Sequence, residues 1–423
     1  MNIIEVIDKK AKGEKITQEE INFFINGYTN NEVKDYQAAA LVMAIKINGM
    51  EEDEVYYLTK AMVESGETLD LNDISDEIYD KHSTGGVGDK ITIALIPIMA
   101  SLGYNVAKMS GRGLGYTGGT ADKFASIPGF DMYISEEYFK ESIKKIGVAI
   151  MTTSKNLVPA DKKIYELRDT IACTESIPLI ASSIMSKKIA AGANNILLDV
   201  TYGSGAFMKT KEMAEKLKDE MEKLGKNYGL NVESAITNMD TPLGYNVGNS
   251  LEVKEAIDYL SGKENEEVEK VILELLKGLG IDKKKLRDEI ESGMAYLKFK
   301  ELVSNQGGNL DEFMQKYENE NNEENSYSVY AKNSGKVNKV LAIGIAKSAF
   351  VLGSGRKEKE DEIDYFSGVR LLKKEGDEVL ENEKIAEIYI GNYMKEKLGN
   401  DEGKIKELIE ESKNLIYSSY EIL

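Results

Sequence analysis

Lys81-His82-Ser83-Thr84-Gly85-Gly86-Val87-Gly88-Asp89-Lys90 sets the only histidine of a 423-residue chain inside a run of small, hydrogen-bonding residues. A second run of the same character follows, Lys108-Met109-Ser110-Gly111-Arg112-Gly113-Leu114-Gly115-Tyr116-Thr117-Gly118-Gly119-Thr120, so nine glycines fall between positions 85 and 119. That density suits backbone N–H groups that must close around an anion, because no Cβ blocks the approach. Short apolar runs at 105–109, 147–151, 195–200 and 232–237 lie around these loops, each separated by a helical period. Such alternation predicts an α/β fold with a mostly parallel central sheet.

Working outward, Ile3, Ile4, Val6 and Ile7 form an apolar stripe, Thr17-Gln18-Glu19-Glu20 reads as a helix cap with acidic first-turn residues, and 37–47 is rich in Ala, Leu and Met. Residues 1–66 are therefore expected to form a helical bundle. Residues 159–191 read as two more helices, the first opening at Ala160-Asp161, with 160–191 returning to that bundle. The α/β domain that carries the glycine loops is expected over 67–159 and 192–317. Glu318-Asn319-Glu320-Asn321-Asn322-Glu323-Glu324-Asn325 has little to bury and reads as an exposed linker, 318–326. Beyond it, 327–423 is expected to be an α+β unit whose Gly turns resemble lipoyl-type barrels, with no hairpin-tip lysine to carry lipoate.

Acidic residues outnumber basic ones by 73 to 54, for a net charge of -19, which argues against nucleic acid as a partner and makes the lysines beside the glycine loops stand out. No apolar run approaches the roughly 20 residues that span a bilayer, and Met1-Asn2-Ile3-Ile4-Glu5-Val6 has no basic leader, so the expectation is a cytoplasmic protein without membrane attachment. One cysteine, Cys173, and one histidine exclude an internal disulfide and the usual zinc ligand sets. Any metal would be held by oxygen.

Three readings of the glycine loops compete. A nucleotide P-loop ends in Gly-Lys-Ser/Thr, and Gly88-Asp89-Lys90-Ile91 breaks that pattern. The run Gly113-Leu114-Gly115-Tyr116-Thr117-Gly118 matches G-x-G-x-x-G, but Glu136 and Glu137, where a ribose-binding acid would end a strand, follow Ser135 at a capped helix start. The third reading is a cradle for phosphate, since Lys81 and Ser83 in one loop, and Lys108, Ser110 and Thr120 in the other, supply cations and hydroxyls. Ordinary turn glycines would not explain these flanking residues. Separately, Ser183 and Lys187 stand four apart on one helix face, with Arg168 in the preceding helix, a set suited to an anionic or carbonyl-rich planar ligand.

Taken together, residues 81–89, Ser110-Gly111-Arg112-Gly113-Leu114-Gly115, Thr117-Gly118-Gly119-Thr120 and Asp122-Lys123 resemble the signature of the thymidine and pyrimidine-nucleoside phosphorylases. The resemblance extends through Val158-Pro159-Ala160-Asp161-Lys162, residues 176–188, Gly203-Ser204-Gly205-Ala206-Phe207-Met208, Pro242-Leu243-Gly244-Tyr245 and Gly353-Ser354-Gly355-Arg356, and so covers nearly the whole chain. It implies a homodimer formed through the helical domain, with hinge closure bringing nucleoside to phosphate. The implied activity is that of a pentosyltransferase of nucleoside salvage. It would convert uridine, thymidine or deoxyuridine to free base and a pentose 1-phosphate with inversion, using inorganic phosphate as co-substrate and no organic cofactor. A thymidine-restricted enzyme, a binding homologue without turnover, and a phosphoribosyltransferase of related architecture are the alternatives.

Carried onto matching positions, the resemblance implies Lys81, Ser83, Thr92, Lys108, Ser110 and Thr120 as phosphate ligands. It implies Arg168, Ser183 and Lys187 at the pyrimidine, His82 near the base O2, and Tyr116 and Phe207 beside the substrate. Catalysis would fall to His82, Arg168 and Lys187. The family's potassium site would comprise Gly88, Leu243, Asn246 and Glu255. Four departures from the signature stand out: Tyr116 at a usual histidine, Ala121 and Ala125 for a larger apolar residue and a glutamate, Thr201-Tyr202 before Gly203, and Lys90 where relatives carry a cation-site hydroxyl. Tyrosine, with a pKa near 10, keeps a donor but cannot switch charge near neutrality. The Lys90 ammonium is expected to take the place of potassium against Glu255.

Overall fold

The computed structural model describes residues 1–423 apart from Leu114, Gly115, Thr117, Lys155 and Lys359 and the side chain of Glu324, so part of the second glycine loop lies outside the described residues. Four helices open the chain: α1 (Ile3–Ala11), α2 (Gln18–Thr29), α3 (Asp35–Asn48) and α4 (Glu52–Glu64). The elements then alternate as β1 (Ile78–Ser83), α5 (Ile91–Ser101), β2 (Asn105–Ser110), α6 (Thr120–Ala125), α7 (Glu136–Ile146), β3 (Val148–Thr152), α8 (Pro159–Thr170), α9 (Ile177–Ala190), β4 (Asn195–Tyr202), α10 (Lys211–Asn227) and β5 (Asn231–Asn238). All four strands expected from apolar runs are present, as are both helices expected in the insertion.

The five strands form one sheet in the order β3-β2-β1-β4-β5. β2 and β3 run parallel, with Val106 opposite Val148 and Ser110 opposite Thr152. Strand order reverses between β1 and β4, and in open α/β sheets ligands bind beyond the carboxyl ends of the strands at such a reversal. Lys81 and Ser83 therefore end β1 at the favoured edge. The outer strand β3 is covered at two points: the Gln306 amide accepts from Ile150 N (2.9 Å) and donates to Ile150 O (2.8 Å), as a neighbouring strand would, and Met132 O accepts from Thr152 N (2.9 Å).

Two compact units divide the chain, and the boundary passes through β1, β4 and β5. The first holds Met1–Asp80, Thr153–Val200 and Glu212–Ser234. Its start follows the predicted capping box, in which Thr17 Oγ1 accepts from Glu20 N and the Glu20 carboxylate accepts from Thr17 N. A buried Lys10–Glu54 pair at 2.8 Å ties α1 to α4, and Glu54 also accepts from Ile16 N. The insertion does return to the bundle, with α9 packed on α4 and α8 on α2 and α3. This unit extends past the helices because Leu69 N donates to Ala190 O, Ile78 N to the Asn194 side chain and Asn231 N to Asn194 O.

The second unit holds Lys81–Thr152, Thr201–Lys211 and Ala235–Leu423. α5 is apolar on every side and buried along ten of its residues, as a central helix must be. Its C-terminal part contains antiparallel strands in a three-stranded and a four-stranded sheet, with the helix Glu402–Ser419 packed on Ala342–Ala349. Residues 318–326, read as an open linker, are largely ordered: a helix runs Leu310–Glu320 and a single 3-10 turn covers Glu323–Asn325. Of the asparagines that lowered the apolar content, Asn322 caps the turn, its Oδ1 accepting from Asn325 N, and Asn321 ties the segment to a distant one, its Nδ2 donating to Phe366 O. Among the described residues no helix is long and apolar enough to cross a membrane.

Candidate active site

The end of β1 carries Lys81, His82 and Ser83 into the first glycine loop. Lys81 is fully buried, with its ammonium 3.9 Å from Asp89 Oδ1, and His82 and Ser83 are half-buried. The loop is strapped to β4 by Thr201. Thr201 N donates to Thr84 Oγ1 (2.8 Å), Thr201 Oγ1 donates to Gly85 O, and the two threonine hydroxyls lie 2.9 Å apart. Thr201, one of the departures from the signature, thus fixes the loop's path. Gly85 and Gly88 take φ of 93° and 76°, which excludes ordinary side chains at both. Thr92 lies buried in the first turn of α5.

Asp89 anchors the far end of this loop, accepting from Ile91 N at 3.2 Å, while Lys123 donates to its carbonyl and pairs with Glu252. Burial alone would raise the Asp89 pKa, but Lys81 and Lys123, helped by Ser83 and Ile91 N–H, hold it at about 2. A carboxyl depressed in the folded state stabilises fully above its unfolded value near 4 and loses that contribution as pH falls toward 2, roughly 2 kcal/mol in all. The melting-temperature gap between the wild type and Asp89→Asn is accordingly expected to be widest above pH 4 and to shrink toward zero by pH 2. A gap independent of pH over that window would contradict the charge pairing.

β2, beside β1 in the sheet, delivers the second loop. Its Lys108 is buried, and the ammonium donates to Met109 O at 2.6 Å. Ser110 ends β2 and Thr120 opens α6, both half-buried. The expected amide cradle needs correcting here. Gly113 N and Gly119 N both donate to Asp122 Oδ2, at 2.6 and 3.0 Å, so these two amides close on the chain's own carboxylate. Arg356 Nη1 neutralises the other oxygen at 2.6 Å, and both side chains are buried. At Gly119 any Cβ would sit about 2.7 Å from Gly111 O, and at Gly118 it would strike the Asn249 side chain, which is itself held by Ser354 O at 3.0 Å.

In the first unit, Asp161, Arg168, Ser183 and Lys187 gather on α8 and α9. The Lys187 ammonium donates to Asp161 Oδ2 at 2.6 Å and to Ser183 Oγ at 3.1 Å, as spacing on one face predicts, and lies 5.6 Å from the Tyr165 ring centre. It stays one-third exposed. Arg168 also has a structural duty. It is buried, and Nε, Nη1 and Nη2 donate to the carbonyls of Cys173, Leu179 and Thr174 at 3.0, 3.1 and 2.9 Å. Those bonds tie its guanidinium to the turn from α8 to α9. Burial lowers its pKa, with Asp161 opposing.

Of the two aromatic candidates, Tyr116 packs edge-on against Phe350 at 5.2 Å with Lys347 over its ring, and Phe207 is half exposed on the loop after β4. The expected cation site is assembled from distant segments. Lys90 Nζ donates to Leu243 O (2.5 Å), Asn246 O (3.2 Å) and Glu255 Oε2 (2.7 Å). Sequence reading left Asp122, Lys123, Asp161, Thr201 and Arg356 without roles. Only Asp122 carried a local signal, standing three residues after Gly119 as a carboxylate at a helix start does.

Residues 4–66 match the Glycosyl transferase family helical bundle domain, 75–305 the Glycosyl transferase family a/b domain, and 336–410 the Pyrimidine nucleoside phosphorylase C-terminal domain. Over 399 residues the chain is 47% identical to the pyrimidine-nucleoside phosphorylase of Staphylococcus haemolyticus and 46% identical to that of Bacillus subtilis, with 92% of this chain and of each relative covered. The fold is also similar to anthranilate phosphoribosyltransferase from Thermus thermophilus, with a TM-score of 0.56 and 19% identity over 71% of this chain and 98% of that one. Relatives this similar across nearly the whole length place the chain in the pyrimidine-nucleoside phosphorylase family.

Proposed function

We propose that this chain is a pentosyltransferase that cleaves pyrimidine nucleosides with inorganic phosphate. The observation that carries the reading is the pair of buried lysines, Lys81 and Lys108, on neighbouring strands that end in Ser83 and Ser110, within a chain of net charge -19. Desolvated cations beside hydroxyls suit a phosphate dianion. A phosphate oxygen attacks C1′ on the face opposite the base, the C1′–N1 bond breaks, and the bonding pair leaves with the pyrimidine. The product is an inverted pentose 1-phosphate.

Negative charge spreads over N1, O2 and O4 of the departing base, so a fixed cation at its carbonyls binds the transition state more tightly than the neutral substrate. Lys187 supplies that cation, oriented by Asp161 and Ser183. Arg168 holds the turn beneath α9 and keeps a guanidinium charge beside the base. His82 contacts O2. No covalent nucleophile is needed.

Lysine at position 108 favours a broad enzyme that accepts uridine as well as thymidine and deoxyuridine. Incubation of the purified protein with each nucleoside, with and without phosphate, followed by separation of free base, is expected to show release from all three only when phosphate is present. Phosphate-independent release, or none, would sink the reading. Activity confined to the deoxynucleosides would leave the chemistry and replace the broad specificity with a thymidine-type one.

A further inference from the structure

The family resemblance implies a potassium ion among Gly88, Leu243, Asn246 and Glu255, and the residues present do not fit one. A potassium ion needs carbonyl and carboxylate oxygens to replace its water. Here those oxygens are already engaged: the carbonyls of Leu243 and Asn246 and Glu255 Oε2 accept all three protons of the Lys90 ammonium. Lys90 is fully buried. Glu255 is saturated further, Oε1 accepting from Tyr245 N and Asn265 Nδ2 and Oε2 from Asn246 N, at 2.8 to 2.9 Å.

The point where these oxygens converge is taken by the ammonium itself, 2.5 to 3.2 Å from the three of them. A second cation in contact with the buried ammonium would meet direct charge repulsion that water does little to screen.

A second lysine completes the arrangement. Lys374 Nζ donates to Pro242 O (2.8 Å) and Gly244 O (3.0 Å) and pairs with Glu267, which in turn accepts from Gly244 N. Four carbonyls of one short turn thus end on two buried ammonium groups. Burial lowers the Lys374 pKa, and Lys90 adds to that lowering, which marks the two charges as electrostatic neighbours.

We infer that Lys90 is a tethered cation that replaces the diffusible monovalent ion. It pins the far end of the 81–90 loop to the 242–247 turn and, through Glu255, to the helix Asn249–Leu260. Lys90 is a positioning residue on this assignment, acting on phosphate through the loop that carries Lys81 and Ser83. A tethered charge is not lost on dilution or dialysis, so neither folding nor turnover should depend on potassium.

The inference rests on the proposed activity only for one of its two readouts. Protein dialysed into choline buffer is titrated with KCl or NaCl at constant ionic strength, and melting temperature and uridine phosphorolysis are followed. The wild type is expected to show no potassium-specific rise in melting temperature and less than about a twofold change in rate, since an ion without a site cannot shift the folding equilibrium. Lys90→Ser, which leaves the oxygens in place, is expected to melt lower and turn over at least about tenfold more slowly in choline, then recover both with saturable potassium dependence.

A saturable, potassium-specific stabilisation of the wild type would overturn the inference. So would a Lys90→Ser protein as stable and active in choline as the wild type. If the variant does not fold, the wild-type melting titration still decides, and it does so even if no nucleoside is cleaved.

Discussion

Replacing Lys187 by alanine is expected to lower kcat/KM for uridine phosphorolysis by about 10²- to 10³-fold, the usual cost of removing one preorganised group that faces charge developing in a transition state. The fall should lie mostly in kcat, because the neutral ground-state base gains little from the ammonium. Lys187 is fixed before substrate arrives, with Asp161 Oδ2 at 2.6 Å and Ser183 Oγ at 3.1 Å, yet one-third of it faces solvent. Alanine at 187 also leaves a buried Asp161 carboxylate without its cation, so Lys187→Met combined with Asp161→Asn is the cleaner partner experiment. If the double variant folds as well as the wild type and still loses kcat, the deficit is chemical. A kcat within about threefold of wild type in Lys187→Ala would refute the role.

The largest effect on stability is expected at Asp122. Its carboxylate holds two glycine amides and the Arg356 guanidinium, and both charged side chains are buried. Asp122→Ala strands a desolvated arginine and two N–H groups at once, a loss of about 3–5 kcal/mol. Urea denaturation with a probe in the second unit should show the midpoint falling accordingly, and phosphorolysis should fall in parallel because the loop after β2 loses its centre. Arg356→Met alone should cost a similar amount by stranding the carboxylate. The double variant should lose less than the sum, a coupling of up to about 3 kcal/mol. Strict additivity would mean that the pair does not act as a unit.

Where periodicity and local chemistry decide, the sequence was readable. The four apolar runs became β2, β3, β4 and β5, the Thr17–Glu20 capping box formed as written, and Ser183 met Lys187 across one helical turn. What could not be read locally was pairing at a distance. Asp122 and Arg356 are 234 positions apart, and Lys90 and Glu255 are 165 apart. Only the resemblance to known phosphorylases suggested the second pair, and nothing suggested the first.

Arg168 has a structural duty that no local signal announces. A helical arginine near other polar residues looks like a ligand, whereas the carbonyls of a tight turn, which every sequence possesses and none advertises, claimed most of its donors. In the acidic, Asn-rich segment composition misled, because asparagine lowers apparent foldability while supplying the caps that order a turn.

The Gln306 amide on β3 has a consequence for how copies of this chain meet. An outer parallel strand is an open template for another molecule's backbone, and self-association by strand addition grows without limit because each added strand exposes a new edge. One glutamine, donating and accepting at Ile150, occupies the hydrogen-bonding face in the middle of that strand. It ends the ladder without adding a strand that would need its own protection. With Met132 O accepting from Thr152 N, it takes up the ladder positions at Ile150 and Thr152 that an added strand would need.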